Sequence, residues 1–326
     1  MPATIKIGNK VYPRPGYGAM GLSSFYGTID REKAKETLRH AIESGVTIWN
    51  TASMYGEGDN ERLIGEVLAN AEEREKIFVI SKWGITWEDG YNVDGSPEYF
   101  HQAINASIQR LGFTPDAYLL HRMDKTRPIE DSVRAMDEAR QAGKTRFIGL
   151  SECSLKTLER AVGVAKIDFI EMEYSPWTLD IERNGVLALA KKLNIIVLAY
   201  SPLGRGFLTG KVNLADLEAN DLRHTIPRVH ADVFEHNMKL VEEFDKVSKE
   251  KGCQTSQIVL AWLMAQGDNV VPIPGTTSPQ RVDENFASRE IVLSADDENR
   301  IRNIINNNRP KGERVAAEHA HFFDQD

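Results

Sequence analysis

The chain has 326 residues, 41% of them hydrophobic and 27% charged, with a formal net charge of -8. That is enough apolar material for a sizeable core, and the acidic balance argues against nucleic acid, whose phosphates need a basic face. Two cysteines, Cys153 and Cys253, give neither a disulfide framework nor metal-ligand spacing. The opening residues lack an apolar signal core, and no run approaches the roughly 18 apolar residues of a membrane span. A cytosolic protein is expected, or a nuclear one by diffusion, with no membrane partner.

In chain order, Thr4 to Pro13 alternates apolar and polar residues around Gly8-Asn9, a hairpin signal. Gly16 to Gly21 reads as a first strand ending in a glycine-rich loop. Asp30 caps a helix running to Ser44, and Gly45 sits where a left-handed residue is wanted. The stretch Thr47 to Gly56 is a short apolar strand that turns polar and delivers Tyr55 just beyond its end. A helix is expected around Glu61 to Ala69, then the strand Phe78-Val79-Ile80-Ser81-Lys82. Ser96-Pro97 opens a helix to Arg110. The strand Ala117 to His121 follows, then a Pro128 to Ala142 helix stopped by Gly143. After them come the strand Arg146 to Leu150, the helix Ser154 to Ala165, the strand Phe169 to Glu173 and the helix Arg183 to Leu193. Ile195 to Tyr200 is the most strand-like run. A long polar loop to about His236 precedes helices over Asn237 to Glu250 and Ser256 to Ala265, and Val270 to Pro274 is the last strand.

About eight strands alternating with helices predict an α/β fold, a (β/α)8 TIM barrel with an N-terminal hairpin and extra C-terminal helix and loops. The hairpin is expected to plug the barrel bottom, and the tail after Asn307 to strap its mouth. A doubly wound sheet is the runner-up, but no strand leads into a G-x-G-x-x-G fingerprint. No linker divides residues 1–326, so a single domain is expected. Parallel strands open their C-termini onto one face, where Tyr55, Lys82 and His121 would converge. A phenol, an ammonium and an imidazole together suit proton donation to a carbonyl. A metal-dependent hydrolase would need clustered His and Asp ligands, which are missing.

These residues carry a resemblance to the aldo-keto reductases over nearly the whole chain. It rests on Trp49 to Gly56, Ser81-Lys82-Trp83-Gly84, His121-Arg122, Gly149 to Glu152, Tyr200-Ser201-Pro202-Leu203-Gly204-Arg205-Gly206-Phe207-Leu208, and Pro274-Gly275-Thr276 with Arg281 and Glu284-Asn285. The pattern is similar to fungal and plant members with His-Arg-x-Asp on the fourth strand. Related fungal pyridoxal reductases also carry asparagine after tryptophan, as at Asn50. The resemblance implies NADPH-dependent reduction of aldehydes or ketones, with Tyr55 as proton donor, Lys82 drawing its pKa down and His121 orienting the carbonyl. The family's usual fourth member is an aspartate at position 50. Asn50 can accept a hydrogen bond from Lys82 but brings no charge, so a working but altered enzyme is expected.

The resemblance also implies cofactor contacts. Ser151 and Glu173 match the nicotinamide carboxamide positions, where the family more often has glutamine at the latter and asparagine at Glu152. Tyr200 matches the residue that stacks on the ring. Ser201, Leu203, Gly204 and Arg205 begin a pyrophosphate loop, and Gly21 lies in the first glycine-rich loop. Gly275, Thr276, Ser278, Arg281, Glu284 and Asn285 match the adenosine end, where a helix N-terminus and a guanidinium suit a 2′-phosphate. Tyr26, Trp83, Trp87 and Trp177 follow strands and are candidates for an apolar substrate pocket, with Trp87 and Trp177 equally readable as packing residues. Met20 and Phe25 are weaker candidates. Arg223 and Arg228 either clamp cofactor or pair with acidic neighbours. The partner is expected to be a small carbonyl compound, pyridoxal included, and the protein a monomer or weak oligomer. The alternative is a low-turnover nicotinamide-binding redox-sensor module.

Overall fold

The computed structural model describes residues 3–324 except Ser24, Thr28, Glu88 and Asp89 and the side chains of Glu318 and His319. β1 (Thr4–Ile7) and β2 (Lys10–Pro13) form an antiparallel hairpin. Eight parallel strands then build the barrel: β3 (Tyr17–Gly18), β4 (Ile48–Asn50), β5 (Phe78–Trp83), β8 (Ala117–Leu120), β9 (Phe147–Ser151), β10 (Phe169–Glu173), β11 (Ile196–Tyr200) and β12 (Val270–Pro272). A small hairpin, β6 (Ile85–Thr86) with β7 (Asn92–Val93), follows β5. The ring closes where Gly16 N–H donates to the Pro272 carbonyl (2.9 Å) and Gly18 N–H to Pro274 (3.1 Å). Prolines suit this seam, since they accept there without needing to donate. At Gly18 a Cβ would stand 2.7 Å from the Ile273 carbonyl oxygen, so the seam closes only around glycine.

Several helices start at side-chain caps. Asp30 accepts from the Glu32 and Lys33 amides to start α1 (Arg31–Glu43), and Gly45 follows at φ +81°. Next are α2 (Asp59–Val67) and α3 (Ala71–Lys76), the latter absent from the sequence reading. Ser96 caps α4 (Pro97–Leu111), with proline at the first helical position. After α5 (Ile129–Gln141) and α6 (Leu155–Val162), the expected 183–193 helix is two pieces, α7 (Asp180–Arg183) and α8 (Val186–Leu193). Gly185, at φ +84°, divides them. The long loop holds several 3-10 turns and ends earlier than expected, because α9 (Ala231–Glu250) begins well before Asn237. α10 (Thr255–Ala265), α11 (Pro279–Ala287) and α12 (Ala295–Asn307) complete the outer layer. No helix among the described residues is long and apolar enough to cross a membrane.

Strand parity divides the core. Inward positions Ile48, Phe78, Ile80, Leu119, Phe169 and Leu198 fill the barrel, and Ile5, Ile7 and Tyr12 of the hairpin pack beneath them as a plug. Tyr12 meets Phe78 edge to face at 5.5 Å. Alternate residues face the helices. One step further along each strand the inward positions turn polar, at Asn50, Lys82, Ser151, Glu171, Glu173 and Tyr200. His121 lies just past β8. Those residues form the mouth.

Candidate active site

Tyr55, in the turn after β4, and His121 stand edge to face with ring centroids 5.7 Å apart. The Lys82 ammonium lies 5.1 Å from the centre of the Tyr55 ring. All three are at least nine-tenths buried. Their convergence follows from parity, since Lys82 is two residues beyond the inward Ile80 and His121 two beyond Leu119. Burial raises the Tyr55 hydroxyl above the ordinary phenol range; Lys82 pulls it down and Glu171 pushes it up. The lowering expected from Lys82 is therefore present but outweighed. Burial, Arg122 and Lys82 hold His121 well below the usual imidazole range, so its ring is neutral. Its Nδ1 has no hydrogen-bond partner among the described residues.

Asn50 accepts from Lys82 Nζ at 2.6 Å through Oδ1. Its Nδ2 donates to Glu171 Oε2, also at 2.6 Å, and Lys82 Nζ reaches Glu171 Oε1 at 2.9 Å. Glu171 was not singled out from sequence. Its signal was a second carboxylate in a short buried strand, on the face shared by Phe169 and Glu173.

Glu173 and Glu152 face a different cation. Glu152, left-handed at φ +54°, accepts from the Glu173 amide at 2.8 Å and from Arg314 Nη2 at 2.5 Å. Arg314 Nη1 lies 3.5 Å from Glu173, whose other oxygen accepts from Thr178. Burial pushes the Glu152 carboxyl up, but Arg314, Arg122 and the Glu173 amide hold it below its ordinary value. Arg314 belongs to the tail, which straps the mouth as expected: the Arg122 and Arg314 guanidiniums lie 5.0 and 4.4 Å from the centre of the buried Phe323 ring, and Asp324 accepts from the Ser154 amide at 2.9 Å. Gln325 and Asp326 lie outside the described residues. Arg122 also donates to Ser151 Oγ at 3.3 Å.

Beyond Tyr200 the chain takes left-handed turns at Ser201, Gly204, Arg205 and Gly206, a strained run after a strand end. Leu203 is buried below it. Gly275 leads from β12 to Thr276, whose Oγ1 accepts from the Ser278 amide at 3.1 Å. Ser278 does not cap α11 with its side chain, but its carbonyl accepts from the Arg281 amide at 3.0 Å and the Val282 amide at 3.1 Å, and Pro279 at the first helical position carries no N–H. Arg281 in its first turn is exposed and has no carboxylate partner among the described residues. The N-terminal end of the helix dipole beside that exposed guanidinium suits a phosphate-bearing nucleotide. Glu284 is held by Ser256 and by Lys211 at 3.3 Å, and Asn285 is buried with its carbonyl accepting from Ser288.

The aromatic candidates separate. Tyr26 lies under Arg223, 5.3 Å from the ring centre, and Phe25 meets Tyr55 edge to face at 6.3 Å. Trp177 stacks on Phe207 beside the cavity bounded by Glu173, Arg205, Arg228 and Arg314. Trp87 is half-buried, as are Gly21 and Met20 in the 3-10 turn after β3. Trp83 is a correction. It is fully buried against Phe100, 4.8 Å between centroids, because odd positions of β5 face the helices while Lys82 faces the barrel. Arg223 pairs with Asp221 at 2.6 Å, and Arg228 holds the Trp177 carbonyl and Thr178. Cys153 is buried, which pushes its thiol far up. No cluster suited to a metal ion occurs among the described residues.

A model of the aldo/keto reductase family matches residues 16–306. The chain belongs to that family. Membership makes it an NADP-dependent oxidoreductase. It is 41% identical over 307 residues to an aldo-keto reductase of Gibberella moniliformis, covering 93% of each chain. It is 38% identical over 311 residues to an NADP(+) aldo-keto reductase of Schizosaccharomyces pombe, covering 93% of this chain and 92% of that one. Among solved structures, a glycerol dehydrogenase from Gluconobacter oxydans superimposes with a TM-score of 0.86 at 27% identity, covering 95% of this chain and 97% of the other. The eight-stranded parallel barrel with flanking helices is the fold these proteins share.

Proposed function

We propose that the enzyme reduces aldehydes and activated ketones to alcohols, with the Tyr55 phenol giving its proton to the carbonyl oxygen. The observation that carries this reading is the packing of Tyr55, Lys82 and His121 into one buried contact at the barrel mouth. NADPH, when bound, supplies the hydride. As the carbonyl oxygen gains charge, the Tyr55 O–H bond breaks and the alcohol O–H forms. Lys82 stabilises the phenolate left behind, and water returns the proton once product leaves. The neutral His121 ring donates a hydrogen bond to the same oxygen and fixes its direction. Asn50 holds Lys82 through its amide oxygen.

For the cofactor we assign Ser151, Glu152, Glu173 and Tyr200 to the nicotinamide end, with Gly21 nearby. Ser201, Leu203, Gly204 and Arg205 are assigned to the pyrophosphate. Gly275, Thr276, Ser278, Arg281, Glu284 and Asn285 are assigned to the adenosine end. Phe25 and Tyr26 beside Tyr55 favour flat aromatic aldehydes, and pyridoxal is the substrate we propose to test first, with Trp87 and Trp177 as outer walls. Steady-state oxidation of NADPH with aromatic aldehydes, dicarbonyls and pyridoxal tests the assignment. Turnover with at least one class is expected. A tightly held cofactor with negligible turnover on every compound would favour a redox sensor instead.

A further inference from the structure

We propose that Glu171 supplies the counter-charge of Lys82, so that the carboxylate of this site comes from β10 and Asn50 joins it to the ammonium. The three side chains close a ring: Lys82 Nζ to Asn50 Oδ1 at 2.6 Å, Asn50 Nδ2 to Glu171 Oε2 at 2.6 Å, and Glu171 Oε1 to Lys82 Nζ at 2.9 Å. Lys82 has no exposed surface, and Asn50 and Glu171 are only 2% and 3% exposed. An ammonium so far from water needs a nearby negative charge, which an amide oxygen does not provide. Among the described residues, the only carboxylate paired with Lys82 is Glu171.

The arrangement also accounts for the asparagine. An aspartate at position 50 would set an oxygen where Asn50 Nδ2 now donates, 2.6 Å from Glu171 Oε2. Two carboxylates at that separation repel or share a proton. Asn50 with Glu171 is therefore a matched pair, one negative charge moved from β4 to the strand across the barrel. Glu171 acts through Lys82 and is a positioning residue.

This inference rests on the reading of Tyr55 as proton donor. The charged and titratable groups facing Tyr55 are Lys82 from β5, Glu171 from β10, His121 and Arg122 after β8, and Tyr26 from the first loop. Burial and, of these groups, Glu171 push the phenol up, so changing Glu171 moves the pH at which kcat declines.

The test compares wild type, Glu171→Gln, Asn50→Asp, the double variant and Tyr55→Phe. It reads kcat with an aromatic aldehyde across pH, and thermal unfolding without cofactor. Glu171→Gln is expected to lower kcat about a hundredfold, shift its alkaline limb to lower pH and lower the unfolding temperature. Asn50→Asp alone is expected to lower kcat about tenfold, as the two carboxylates compete for one ammonium. The double variant is expected to regain at least about tenfold over Glu171→Gln, with its limb and unfolding temperature moving back toward wild type. If Glu171→Gln stays within about twofold of wild type with an unmoved limb, or the double variant is no better than Glu171→Gln, the proposal is overturned. Should Glu171→Gln fail to fold, the double variant decides: folded and active supports the exchange, unfolded or inactive contradicts it. Full turnover by Tyr55→Phe would instead mark failure of the proton-donor reading, whatever Glu171 does.

Discussion

The His121 and Tyr55 rings meet edge to face, with an interplanar angle of 83°. Burial, helped by Arg122 and the Lys82 ammonium, keeps that imidazole neutral. A neutral ring needs no titration to work, so the acid side of the pH profile should carry no histidine. Tyr55 must hold its proton, and its raised pKa delays the loss of that proton as pH climbs. We expect kcat/KM for an aldehyde to be flat from about pH 6 to 9 and to decline only above about 10. The pH–rate profile checks this. A break near 6.5 that disappears in His121→Gln would contradict it.

Arg314 holds two buried carboxylates, and its removal leaves them without that cation. Arg314→Gln is expected to cost about 3 kcal/mol of stability at pH 7. Because the folded-state pKa of Glu152 is depressed, this stabilisation is full above the ordinary glutamate pKa of about 4.3 and is lost as pH falls through the folded value. Urea midpoints of variant and wild type should differ at pH 7 and draw together in acid. Equal midpoints at pH 7 would contradict the assignment.

Arg281 is exposed on the first turn of α11 with no carboxylate partner among the described residues. If it meets the 2′-phosphate, Arg281→Ala should raise KM for NADPH about tenfold or more and leave KM for NADH nearly unchanged. Parallel initial-rate titrations with the two nucleotides measure this. Equal changes for both would place the guanidinium elsewhere.

Trp83 tests the parity argument. Trp83→Leu should lower stability by about 2–4 kcal/mol through lost packing against Phe100, with aldehyde KM within about twofold of wild type. A large KM change at unaltered stability would return Trp83 to the substrate wall.

Much of this was legible in the sequence because local signals and global fold agree. Asp30, Ser96 and Gly45 mark helix ends through their own hydrogen-bonding and conformational chemistry, and the structure uses them so. The meeting of Lys82, His121 and Tyr55 followed from strand parity and the shared direction of parallel strands. What escaped was tertiary. Ala71–Lys76 has no buried residue to give it a hydrophobic period, and Gly185 breaks a run that otherwise reads as one helix. Trp83 follows a strand in sequence yet faces the helices. Glu171 was passed over because its meaning depends on Lys82, 89 positions earlier, and only barrel closure brings them together. Arg314 is separated from Glu152 by 162 positions, and the charged tail gave no sign of its target.

The most direct test of the account is a single substitution read two ways. Tyr55→Phe removes the proton and little else. NADPH binding, followed by fluorescence titration, should stay within about threefold of wild type, while kcat for an aromatic aldehyde falls by about a thousandfold. Turnover close to wild type, with cofactor still bound, would mean that the proton comes from another group.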